Sequence, residues 1–160
     1  MELLGVRVEL PANTPVVMLR EEGDGARVLP ILIGGPEASA IHTALEGIVP
    51  PRPLTHDLTV TMFQALGASL ERVLITEVRD HVFYAELHFR TAAGQTVVSS
   101  RPSDAIALAV RAEAPIFAEE SLLDDAAVAV PEVVEEESEE AILDEFRDFL
   151  DDITPDDFAS

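Results

Sequence analysis

Two short segments carry most of this sequence's capacity for chemistry. Arg52-Pro53-Leu54-Thr55-His56-Asp57 places a guanidinium, a hydroxyl, an imidazole and a carboxylate within six residues. Arg101-Pro102-Ser103-Asp104 has the same form without the histidine. Both precede apolar runs of helical spacing, so both read as helix starts, where free backbone N–H groups favour anions. Arginine offers a two-pronged donor to phosphate or carboxylate, and histidine moves protons near neutral pH. Asp57, Asp104, Glu37 and Asp80 are carboxylates able to share a hard divalent cation. The same residues have a purely structural reading. Thr55 caps one helix, Ser103 or Asp104 caps another, Asp57 and Glu37 complement helix dipoles, and Arg101 pairs with a carboxylate such as Asp57 or Glu37. Both readings stay open on the sequence. The chain has no cysteine, no HxH or HExxH spacing and no GxxxxGK loop, so no zinc site, nucleotide loop or organic cofactor is expected.

The elements that must position these groups follow from hydrophobic periodicity and turn residues. Strands are expected at Val6–Leu10, Pro15–Arg20 and Arg27–Ile33, the last two joined through Asp24-Gly25. Pro36 opens a helix to about Glu46, with Gly47 as its stop. Thr55 opens a second helix with Leu58, Met62, Ala65 and Leu66 on its apolar face, ending at Gly67. Strands at Leu70–Val78, Val82–Arg90 and Gln95–Ser100 lead to a third helix from Asp104 to about Glu113. A shift of about 67 residues sets Val16 on Phe83, Ile31 on Val98 and Glu37 on Asp104. The expected fold is therefore α+β: a mixed or antiparallel sheet with packed helices, built from two similar β-β-β-α halves. The third helix, Ala105 to Val110, is apolar all round. Either a subunit interface, giving a homodimer, or a sandwich between sheet and helix would bury it.

Of the formal charge of −21, residues 119–160 carry a net −16 and residues 1–118 a net −5. The acidity is thus a C-terminal property laid on a mildly acidic body, and it opposes nucleic-acid binding. The composition divides the chain into a domain at 1–125, an acidic linker at 126–137 and an acidic amphipathic helical tail at 138–160. In that tail Ile142, Phe146, Phe149, Leu150 and Ile153 recur at spacings of three and four. The tail is expected to pack on its own domain, to dock a basic protein partner, or to lie over the protein's own groove. No run reaches a membrane span, and Met1-Glu2-Leu3-Leu4 does not read as a signal peptide, so a cytoplasmic protein is expected.

Four segments, in order and spacing, resemble the bifunctional nuclease family over residues 1–125. They are Leu29 to Ala38 with Ile41 and His42; Pro51 to Leu58; Asp80 with Phe83-Tyr84-Ala85; and Arg101 to Ala109. The resemblance implies hydrolysis of phosphodiester bonds in DNA and RNA, assisted by Mg²⁺ or Mn²⁺. On that reading Arg52, His56, Asp57, Arg101 and Asp104 are the catalytic candidates. Thr55, Ser103 and Tyr84 would bind substrate, and Asp57, Asp104, Glu37 and Asp80 would hold metal. Tyr84 is expected either to stack a base or to fill the core, and His42 to be partly buried and satisfied. The alternative is a non-catalytic binding or regulatory module of the same fold. Similar sequences often read Asp-Ala before the Arg-Pro-Ser-Asp segment, where this chain has Ser99-Ser100. Many also have Asp-Gly-Thr where this chain has Asp80-His81-Val82, from which a wider turn is expected.

Overall fold

A computed structural model describes residues 1–9, 14–23 and 27–129. The Asp24-Gly25 turn and the tail expected over 138–160 lie outside the described residues. The described order is β1(Glu2–Glu9), β2(Thr14–Arg20), β3(Arg27–Leu32), α1(Gly35–Leu45), α2(Thr55–Ala65), β4(Ser69–Arg79), β5(Val82–Thr91), β6(Gly94–Ser100), α3(Pro102–Ala112), β7(Ile116–Ala118), α4(Glu120–Ala126) and β8(Val128–Ala129). The two β-β-β-α halves are present, with α2 between them. They form two four-stranded sheets rather than one. The first runs β1-β2-β3-β8 and the second β6-β5-β4-β7. The three strands of each half pair among themselves, and the halves join through their helices and through β8, which follows the second half and pairs with β3 of the first.

The duplication extends into backbone detail. Residues of α1 and α3 lie 67 positions apart end to end. The irregularity between Leu3 and Gly5 in β1 recurs between Leu70 and Arg72 in β4 at the same offset. The middle strands depart from it. Val17 faces Ile31 in the first half, and Leu87 faces Val98 in the second, so β2 superposes on β5 with a shift of 70. The expected match of Val16 to Phe83 is thus corrected by three residues: the second half lengthens its first hairpin and shortens its second.

Helix α1 packs on β1 and β2, α3 packs on β4 and β5, and α1 and α3 pack on each other. Between them Val17, Leu19, Leu29, Ile31, Ile41, Val73, Ile75 and Ile106 are essentially inaccessible. Ala105 to Ala109 of α3 are all buried, which answers the periodicity puzzle without a second subunit. The alanines let α1 and α2 approach closely on two sides while the sheet takes a third.

Helix α2 reverses the expected facing. Val60 is buried and Phe63 half-buried, with the Phe63 ring edge-on to Phe89 at 5.2 Å. Leu58, Met62 and Leu66 are exposed at 50%, 55% and 82%. Two apolar stripes existed in the sequence, and His56 and Asp57 decided between them by turning toward α3. The β4–β5 connection also differs. Arg79 faces Val82, leaving a two-residue turn with Asp80 at φ 50 and His81 at φ 63. That is the tight hairpin geometry usually given to glycine, not a wider loop. Finally, β8 pairs Val28 with Val128 and Arg27 with Ala129, so the sheet continues a few residues past 125.

Candidate functional site

Three helices deliver the polar residues to one place. Helix α2 begins after the stiff Pro51-Arg52-Pro53 loop. Its entry is held by Asp57, whose Oδ2 accepts from the Leu54 backbone N–H at 2.8 Å. Asp57, not Thr55, is therefore the side chain that caps α2; Thr55 is its exposed first residue. The other Asp57 oxygen, Oδ1, accepts from Arg111 Nε at 2.5 Å. Arg111 is 9% exposed and also donates to the Ala107 carbonyl at 2.9 Å and the Ala40 carbonyl at 3.1 Å. One guanidinium thus binds α1, α2 and α3 together. Arg111 also holds the Asp57 carboxyl below its usual range, and burial opposes that only in part. Arg101 was expected to meet Asp57 or Glu37; it meets Glu37, and Arg111 takes Asp57.

Arg101 is the N-cap of α3, which begins at Pro102 rather than at Asp104. Its guanidinium meets Asp104 Oδ2 at 2.7 Å, Asp104 Oδ1 at 3.1 Å and Glu37 Oε1 at 3.0 Å. The other Glu37 oxygen lies over Gly34, where a Cβ would collide with it. Asp104 Oδ1 also meets His56 Nε2 at 3.2 Å. The Arg101 guanidinium, followed by His56, lowers the Asp104 carboxyl from its ordinary value against a burial cost. The result is a continuous chain, Glu37–Arg101–Asp104–His56, drawn from α1, α3 and α2. Nε2 faces an oxygen that only accepts, so the ring tautomer that fits this contact donates from Nε2.

Beside this chain lies a cleft of about 360 Å³. It is lined by the end of β3, the β4–β5 turn and the N-termini of α1 and α3, with Glu37, His81, Arg101 and Ser103 as its polar groups. Ser103 is 8% exposed and has no hydrogen-bond partner among the described residues. Arg101 is 65% exposed, so its outer edge is open to a ligand. The cleft sits where the two halves place their equivalent helix starts, each with free backbone N–H groups.

The other expected residues are dispersed. Arg52 is exposed and has no ion pair among the described residues. Asp80 is in the β4–β5 turn, next to a cleft-lining residue. Tyr84 is 36% exposed beneath the Arg79 guanidinium, 4.9 Å from ring centroid to carbon, so it is not a core tyrosine. His42 is exposed rather than partly buried. The four expected metal carboxylates do not gather: among the described residues no three Asp, Glu or His side chains form a metal-holding group. Arginines already answer the charge of Asp57, Asp104 and Glu37, so as arranged these residues do not fit a resident divalent cation. Sequence reasoning missed Arg111. It directly follows the apolar run of α3, but nothing local marks its partner 54 residues away.

These features define a duplicated α+β domain with a partly buried polar network at the meeting of its helices. The sequence matches the family described as the bifunctional nuclease domain over residues 17–131. The chain belongs to that family. An uncharacterized protein of Mycobacterium tuberculosis is 44% identical over 99% of this chain and 96% of its own length. Bifunctional nuclease 2 of Oryza sativa subsp. japonica is 30% identical over 74% of this chain and 37% of its own. Bifunctional nuclease 1 of the same rice is 27% identical over 69% of this chain and 34% of its own. No described helix is long and apolar enough to cross a membrane.

Proposed function

We propose that this protein is a nuclease that binds a phosphodiester of DNA or RNA in the Arg101–Ser103 cleft, with His56 as its proton-transfer group. The observation that carries the reading is the Glu37–Arg101–Asp104–His56 chain running from the cleft into the helix layer. In this reading the outer edge of Arg101 and the Ser103 hydroxyl hold phosphate oxygens beside the helix N-termini. Asp104 fixes the tautomer and orientation of His56, so that Nδ1 can take a proton from an attacking water and return it to the leaving oxygen. Arg52 and Thr55 extend the binding surface along α2, and Tyr84 offers a half-exposed ring to a base. The active species is a homodimer in the cytoplasm, with the acidic tail docking a protein partner.

A second reading is favoured by the way the charges are used. Every carboxylate at the helix junction already has a guanidinium partner, as a structural clasp requires. On this reading the domain is a non-catalytic binding module.

The deciding experiment is cleavage of single-stranded DNA and RNA, with and without Mg²⁺ or Mn²⁺, by wild type, His56→Ala and Ser103→Ala. The nuclease reading expects cleavage to vanish in His56→Ala, with stability within about 1 kcal/mol of wild type as for a non-core substitution. Equal cleavage in wild type and His56→Ala would defeat it. Activity that requires the added cation would mean that Arg101 yields a carboxylate when cation and substrate arrive together.

A further inference from the structure

The free edges of the two sheets are not alike. In the first sheet, β1 carries Glu2, Arg7 and Glu9 and is broken near Gly5, while β8 is two residues long. In the second, β7 has three residues. Charges, bulges and shortness are the devices that keep sheet edges from pairing with other strands. Strand β6 has none of them. Its seven residues, Gly94-Gln95-Thr96-Val97-Val98-Ser99-Ser100, contain no charge and no proline, and its register with β5 is unbroken from Ala85↔Ser100 to Thr91↔Gly94. All but Ser100 are exposed, with Val97 at 50% and Val98 at 45%. Val98 pairs with buried Leu87 and so lies on the helix-bearing face; Val97 pairs with His88 on the other. Among the described residues nothing pairs with the outer edge of β6.

We infer that β6 is the seam of a homodimer, pairing antiparallel with β6 of a second copy across a two-fold axis. Antiparallel pairing of a strand with itself is self-complementary: each residue meets its counterpart reflected through the axis, and the contact closes at two subunits. Charge favours the same occupant. Two copies carry the same net negative charge, −5 over residues 1–118 alone, and β6 is a full-length edge on which no charge opposes its own image. One strand covers less than the roughly 800 Å² per partner of a stable interface. The remainder is supplied beside it. Phe63 of α2 rests on Phe89, whose cross-strand partner is Thr96 of β6. The outer stripe of α2, Leu58, Met62 and Leu66, is exposed and uncharged. The dimer thus continues the second sheet to eight strands and draws on the α2 stripe at its flank, leaving α3 inside each subunit.

This inference rests on the homodimer reading, and one experiment separates the two. The full chain is sedimented from about 1 to 100 μM, the range in which micromolar association appears, and amide exchange is followed along 94–100. The same is done for Val97→Lys, Val98→Lys and Leu58→Lys. A dimer is expected, with β6 amides that become protected as concentration rises. Either valine substitution should weaken it at least tenfold while leaving the subunit folded, because both positions are exposed in it, so that Tm falls only by the lost association. A monomeric wild type would overturn both the dimer and its seam; an extended peptide of another protein would then be the edge's occupant. A dimer unchanged by both valine substitutions, or β6 exchange independent of concentration, would overturn the seam alone. Loss of the dimer only in Leu58→Lys would move the interface to α2 and overturn it equally.

Discussion

Arg111 shows how much of this molecule depends on single side chains. Its guanidinium is 9% exposed and donates to a carboxylate and to two helix carbonyls. Replacing it with methionine keeps the packing but leaves Asp57 charged and unpaired. Urea unfolding of Arg111→Met should show a loss of about 1–3 kcal/mol, moderated because Asp57 is partly open to water. Arg111→Lys should recover only part, since an ammonium cannot address three helices from one plane. A loss below the error of the measurement would mean that the clasp is dispensable. The carboxylates also set an acid limit. Asp57 and Asp104 are held below their ordinary values by Arg111 and Arg101, so in the unfolded chain they take up protons first. The stability they contribute is whole above about pH 4, the unfolded carboxyl range, and is lost as pH falls through the lower folded values. Thermal unfolding at successive pH values should therefore steepen below pH 4 in wild type and less so in Asp57→Asn. Parallel curves would show that Asp57 contributes nothing to acid lability.

At the scale of elements, α2 and the β4–β5 turn test the packing directly. Within the subunit, Val60→Ala should cost about 1–2 kcal/mol, and Met62→Lys less than about 0.5 kcal/mol apart from any lost association, because one position is buried and the other open. The reverse order would restore the facing expected from periodicity. His81 adopts φ 63, a conformation costly for a residue with a Cβ. His81→Gly should raise stability by about 0.5–1 kcal/mol after glycine's own entropy is counted; a decrease would mean that the histidine makes a compensating interaction. Most elements were legible from periodicity and turn residues, including the ends of α1 and α2 at Gly47 and Gly67, both at positive φ. Strand β7, helix α4 and strand β8 were not. They are short, and α4 is held by Arg27 pairing with Glu120 and Asp124, ion pairs more than 90 residues apart in sequence.

Across the whole molecule, charge limits how nucleic acid can bind. Of the nine arginines in residues 1–118, Arg20, Arg27, Arg79, Arg90, Arg101 and Arg111 are in ion pairs, leaving Arg7, Arg52 and Arg72 outside them among the described residues. Few phosphates can then be neutralised. With the outer edge of Arg101 beside these three, the dependence of log binding constant on log salt should be no steeper than about −4, at 0.7–0.9 per phosphate. A slope near −6 would require the ion pairs to open on binding, and fluorescence anisotropy across a salt series distinguishes the two.

The sequence by itself determined the α+β class, the duplication, the family and the polar residues at two helix starts. Those rest on periodicity, turn chemistry and local order, all carried by neighbours in the chain. The structure decided that the halves form two sheets and that α2 turns its histidine and aspartate inward. It also decided that Asp57 belongs to Arg111 while Asp104 joins Arg101 to His56. These are pairings between distant residues, chosen by which arrangement buries apolar surface while leaving no buried charge without a partner among the described residues, and no local pattern encodes that choice.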